Sequence, residues 1–85
     1  MPTPEEFTGP TTELLQALIR NECVNDGTPD SGEETRNSDL LVTYLEGAGL
    51  EVERFTPRPG RDSMVARIEG TDPEAPSLCL MGHTD

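Results

Sequence analysis

The chain has 85 residues, enough for one small domain or part of a larger one, and at this size much apolar surface stays outside any core. Seventeen Asp and Glu stand against six arginines and no lysine, a net charge of −11. That balance excludes a polyanionic partner: no nucleic acid and no membrane surface is expected to bind.

Only 32% of residues are hydrophobic and there is no Trp, while eight glycines and eight prolines raise the turn content above the average of roughly 12%. The apolar residues are clustered and periodic, so the composition is that of a folded chain with a strongly hydrated acidic surface. The first 25 residues carry Glu5, Glu6 and Glu13 but no basic leader followed by an apolar stretch, and nothing approaches the roughly 20 apolar residues of a membrane span. A cytoplasmic location is expected.

Residues 1–10, with Pro2, Pro4, Gly9 and Pro10, show no periodic pattern and are expected to form a flexible N-terminal segment. Thr11 or Thr12 then suits a helix cap, because a threonine oxygen accepts a bond from an orphan first-turn N–H and Glu13 complements the positive end of the dipole. Leu14, Leu15, Leu18 and Ile19 recur at helical spacing, and the helix is expected to fray near Asn21 to Val24.

The segment from Asn25 to Gly32 is turn-rich, and its acids suggest a calcium loop. The register fails, because counting from Asp26 places Ser31 where the sharp-turn glycine belongs and Asn37 where the bidentate glutamate belongs. Ser31-Gly32-Glu33-Glu34 instead fits a capping box, with Ser31 as cap and Glu34 reaching back. The second helix carries Leu40, Leu41, Tyr44, Leu45 and Ala48 on one stripe, and Gly49 is expected to end it in the left-handed conformation.

Alternation from Leu50 to Phe55 predicts a short strand, Pro57 to Arg61 a turn, and Ser63 to Glu69 a second strand with Met64, Ala66 and Ile68 inward. The short link favours an antiparallel hairpin. A surface loop from Gly70 to Pro76 leads to Leu78-Cys79-Leu80-Met81, whose unbroken apolar character predicts a third strand buried on both faces.

That strand runs into Gly82-His83-Thr84-Asp85. Chemistry in open α/β sheets gathers just past the carboxyl ends of strands, and His and Asp two residues apart in an extended segment share one side of the backbone. Neutral imidazole is a good zinc ligand, and a nearby carboxylate commonly fixes its tautomer. Cys79 is excluded from any shared metal: four strand residues put it about 13 Å from His83, against ligand bonds of about 2 Å. Cys23 and Cys79 are too few for a disulfide framework.

Two amphipathic helices, a hairpin and an apolar strand ending in Met81-Gly82-His83-Thr84-Asp85 resemble the N-terminus of the metallopeptidase family of acetylornithine deacetylase, succinyl-diaminopimelate desuccinylase, aminoacylase and carboxypeptidase G. The resemblance covers residues 11–85, with Ser31-Gly32-Glu33-Glu34 and the helix exit from Leu45 to Leu50 as secondary support. It implies that His83 is a metal ligand to one of two zinc ions, with cobalt or manganese as substitutes. It counts Asp85 as catalytic, because the family's aspartate orients and polarises the metal-bound histidine, and it leaves Thr84 as a spacer.

The implied fold is α/β, the N-terminal part of a three-layer catalytic domain with a mixed sheet, in the order helix-helix-strand-strand-strand. On this reading residues 11–85 are an incomplete catalytic domain without the lid or dimerisation domain. The implied reaction is hydrolysis of the amide bond of a small peptide or N-acyl amino acid, and the parent protein is expected to be a homodimer. The 85-residue fragment alone is expected to be inactive, since the bridging carboxylate, the general base and the other ligands lie beyond Asp85. Two alternatives are a non-catalytic acidic interaction module and a related His-x-Asp co-catalytic aminopeptidase.

Overall fold

The computed structural model describes all residues from Met1 to Asp85, in the order α1 (Pro4–Arg20), α2 (Thr35–Leu45), β1 (Glu51–Arg58) and β2 (Arg61–Arg67). The class is α/β, as the periodicities predict. The two strands pair antiparallel in a two-stranded sheet, with Glu51 opposite Arg67 and Phe55 opposite Ser63. The hairpin read from the short link is therefore present.

Its turn is Pro59-Gly60, with Gly60 at φ +79°, the residue pair of a type II turn. Pairing is irregular between Phe55 and Arg58, where Thr56 and Pro57 face the single residue Asp62. This bulge explains how Pro57, which has no N–H for the ladder, lies inside a strand rather than in the expected turn. It also turns Asp62 inward, where only 8% of the residue remains exposed.

The start of α1 corrects the expectation of a flexible segment over residues 1–10. The helix begins at Pro4, with Thr3 at the N-cap. Proline at the first helical position gives up no bond, since that N–H is an orphan in any helix, and Glu5 and Glu6 suit the positive end of the dipole. Pro10 is carried inside the helix. Thr12 is no cap; its hydroxyl bonds the Thr8 carbonyl one turn back at 2.8 Å. These residues have no apolar stripe, so hydrophobic periodicity could not reveal them.

The capping box is also corrected. Gly32 at φ +86° and Glu33 at φ +49° break the helical path between Ser31 and Glu34, so α2 starts later and Glu34 takes the N-cap position without a side-chain cap bond. Ser31 instead donates its hydroxyl to the Thr28 carbonyl at 2.8 Å. At the other end α2 stops at Leu45, four residues before Gly49, because Glu46 leaves the helical conformation and Gly47 follows at φ +80°.

The largest departure concerns the third strand. Residues 77–81 join no ladder, and Leu78, Leu80 and Met81 are 85%, 86% and 92% exposed. An apolar run becomes strand only when a neighbour supplies hydrogen bonds, and the hairpin does not run alongside it. Cys79, expected as a buried small hydrophobe, is exposed with its neighbours.

Packing is correspondingly open. The radius of gyration is 15.0 Å, against about 12 Å for a compact domain of this length. No residue of α1 is buried, and Ile68, expected inward, is 77% exposed beyond the end of β2. What is buried is a polar seam where the start of α2 meets β2: Glu34, Asn37, Ser38 and Asp62, with Cys23 the one apolar member. Arg61 pairs with Glu34 at 2.8 Å across it, and Arg54 bridges Asp62 at 2.6 Å and Asp39 at 2.7 Å.

Candidate functional site

The seam receives the Gly82-His83-Thr84-Asp85 stretch. Asn37 sits on α2 one turn before Leu40 and Leu41, at the head of the helix stripe, and is 2% exposed. Its amide donates to the Thr84 carbonyl at 2.7 Å, and its own carbonyl oxygen accepts from the Asn21 amide at 2.8 Å. Buried amides must find such partners, and Asn37 finds one on each side. The C-terminal end of α1, the first turn of α2 and the stretch around Thr84 are thus tied together.

Within the stretch, His83 Nδ1 lies 3.4 Å from Asp85 Oδ1. The two residues predicted from spacing are brought together. The His83 side chain is 91% exposed, whereas the carboxylate-bearing side chain of Asp85, an exposed residue as a whole, is 25% exposed. The second carboxylate oxygen of Asp85 accepts from the Asn25 amide at 3.0 Å. That amide, aided by the nearby imidazole, holds the Asp85 carboxyl below the usual carboxylate range against a smaller opposing effect of burial.

An open cleft of about 520 Å³ adjoins the pair, lined among others by Glu34, Ser38, Arg61 and Asp62. The Arg61 guanidinium is held charged mainly by the Glu34 carboxylate, with a further contribution from Asp85. Burial pushes the Asp62 carboxyl up, but the Arg54 guanidinium and the hydroxyls of Thr35 and Thr56 together outweigh it, and the net position lies below the ordinary value. The cleft therefore carries one exposed imidazole beside the Asp62 and Asp85 carboxylates, both held below their ordinary range.

As a metal site, this donor set fits one ligand and its orienting partner. A carboxylate on Nδ1 favours the tautomer that leaves the Nε2 lone pair free for a metal, and His83 is exposed enough to use it. No group of three His, Cys, Asp or Glu side chains stands close enough to hold an ion. Cys79 is not among the residues that line the cleft.

Asn21, Asn25 and Asn37 belong to no motif that marks a site in the sequence. Asn37 could have been found, since a polar residue extending an apolar helix stripe is a candidate for a buried, bonded position. Asn25 carries no such mark. In Asn25-Asp26-Gly27 it reads as turn chemistry, and its contact to Asp85 spans 60 residues.

Comparison with known proteins gives two relatives. The chain is 40% identical over 76 residues to the succinyl-diaminopimelate desuccinylase of Rhodopseudomonas palustris strain TIE-1, and equally to that of strain ATCC BAA-98 / CGA009. Each match takes in 85% of this chain and 17% of the relative, so the chain spans about a sixth of the length of these relatives. No protein-family model matches the chain, and no solved structure does. No helix is long and apolar enough to cross a membrane. The similarity to the desuccinylases agrees, at the broad level of the family alone, with the resemblance read from the sequence.

Proposed function

We propose that this chain is the N-terminal part of the catalytic domain of a metal-dependent hydrolase that cleaves the amide bond of an N-acyl amino acid or small peptide. The observation that carries the reading is the His83–Asp85 pair at 3.4 Å, in a chain 40% identical to desuccinylases over most of its length. A pair of divalent ions, zinc or in its place cobalt or manganese, supplies the acidified water and the polarised carbonyl in such chemistry.

His83 contributes one imidazole ligand through Nε2. Asp85 holds the ring through Nδ1, fixes its tautomer and raises its basicity as a ligand. Asn37 holds the Thr84 carbonyl, so the backbone between the two functional side chains is fixed to α2. Asp85, ionised and part-buried, keeps a negative charge beside the imidazole, which favours bringing a cation to it.

The relatives' activity makes an N-succinyl amino acid the first substrate to try. Alone, the 85 residues supply one ligand of a site that needs several, and no hydrolysis is expected of them. The test is His83→Ala in the full-length protein, followed by metal content and hydrolysis of an N-succinyl amino acid. Loss of both is expected. Retention of full metal-dependent hydrolysis would refute the assignment.

A further inference from the structure

The loop closed by the Gly32 N–H on the Val24 carbonyl, at 2.9 Å, reaches the site through one side chain, Asn25. Its Nδ2 donates to Asp85 Oδ2 at 3.0 Å, while Asp85 Oδ1 faces His83 Nδ1 at 3.4 Å. The two oxygens of the carboxylate are therefore divided between a fixed donor and the imidazole. Rotation of the carboxyl group about its own bond would break the Asn25 contact, so the loop sets the plane of Asp85 and presents its Oδ1 to His83 Nδ1.

The direction of the Asn25 amide is itself determined. Its Oδ1 accepts the Gly27 N–H at 2.9 Å. Turning the amide over would oppose its NH₂ to that N–H and its oxygen to the Asp85 carboxylate, two repulsions in place of two bonds. A neutral amide also suits the task better than a cation would. It occupies one carboxylate oxygen without neutralising the charge that acts on His83, whereas an Arg or Lys at this place would compete with the imidazole.

We propose that Asn25 is a positioning residue for the His83–Asp85 pair, acting from the loop after α1 by fixing the carboxylate that orients the imidazole. The proposal rests on the metal-hydrolase reading above and goes beyond it by assigning a residue 60 positions away from Asp85 to the same function.

The test compares Asn25→Asp with Asn25→Ala in the full-length protein. Asn25→Asp keeps the oxygen that accepts the Gly27 N–H, so the loop retains its internal bond, but it faces Asp85 with a second carboxylate in place of a donor. Three quantities are measured: the melting temperature of the metal-free protein, the zinc Kd by chelator competition, and kcat and KM for an N-succinyl amino acid. For Asn25→Asp the metal-free melting temperature should fall by a few degrees at most, because the facing carboxylates are solvent-exposed, while the zinc Kd rises about tenfold, the lower end of what partners around a metal ligand deliver. Its kcat should fall without a matching change in KM, and its losses should equal or exceed those of Asn25→Ala.

Wild-type zinc affinity in Asn25→Asp would overturn the proposal and leave Asn25 a loop residue only. His83→Ala separates this failure from a failure of the underlying reading. If His83→Ala loses zinc while both Asn25 variants keep it, only the positioning role is wrong. If His83→Ala keeps zinc, the metal assignment itself is wrong and the positioning role falls with it.

Discussion

Gly32 offers a direct test of how the polar seam holds the site. Its φ of +86° belongs to the left-handed side of the map, and an added Cβ would meet the Glu34 carboxylate and lie 3.0 Å from Arg61 Nε. Gly27 has nearly the same φ, +89°, in the same loop, but nothing stands within 4 Å of its added Cβ. The pair of variants therefore separates backbone strain from displacement of the Glu34–Arg61 bridge. Strain in the left-handed region costs about 1–2 kcal/mol for an L residue, and that is all Gly27→Ala should lose. Gly32→Ala should lose the same amount plus about 1.5–3 kcal/mol for a hydrogen bond to a charged group that has to open.

Amide exchange in the full-length protein reads this difference, using the Ser38 N–H, which bonds the Glu34 carbonyl at 2.8 Å in the first turn of α2. At about 1.4 kcal/mol per factor of ten, the Ser38 protection factor should fall roughly ten- to hundredfold further in Gly32→Ala than in Gly27→Ala. Equal losses in the two variants would refute the argument, because they would mean that the Glu34–Arg61 bridge contributes nothing to holding α2 against β2.

Two further outcomes follow from the same seam. Asn37→Ala removes a buried amide with a bond on each side, to Asn21 and to Thr84, and should lower stability by about 1–3 kcal/mol as read from the urea midpoint. Asp62 sets an acid limit: its folded carboxyl lies below the ordinary carboxylate value, so its contribution is fully present above the unfolded value of about 3.9 and is lost as pH falls through the lower folded value. Acid unfolding followed by circular dichroism should accordingly show a flatter loss of stability below about pH 4 in Asp62→Asn than in the wild type.

The neighbourhood of the site shows which forces can be read from a linear chain. Leu14, Leu15 and Leu18 announce α1 through their spacing, yet only Leu14 and Leu18 of these reach even partial burial, because the stripe has no surface of this chain to cover it. Tyr44, placed on the inward stripe of α2, is 55% exposed for the same reason. Periodicity reports that a face is apolar, and it says nothing of what lies against that face. The polar residues Asn37 and Ser38 took the buried places instead, Asn37 satisfied by hydrogen bonds to Asn21 and Thr84.

What the sequence by itself determined is local: the α/β class, two helices, the antiparallel hairpin, and the proximity of His83 to Asp85, which two-residue spacing already favours. Each depends on backbone preferences and neighbours a few positions away. Only the tertiary structure decided the rest. It started α1 at Pro4, made the Glu34 side chain a partner of Arg61 rather than one reaching back to Ser31, left Leu78 to Met81 without a strand neighbour, and set Asn25 against Asp85. The physical reason is common to all four: a helix start without a stripe, an ion pair, a ladder and a cross-chain hydrogen bond are each completed by groups that local pattern does not specify.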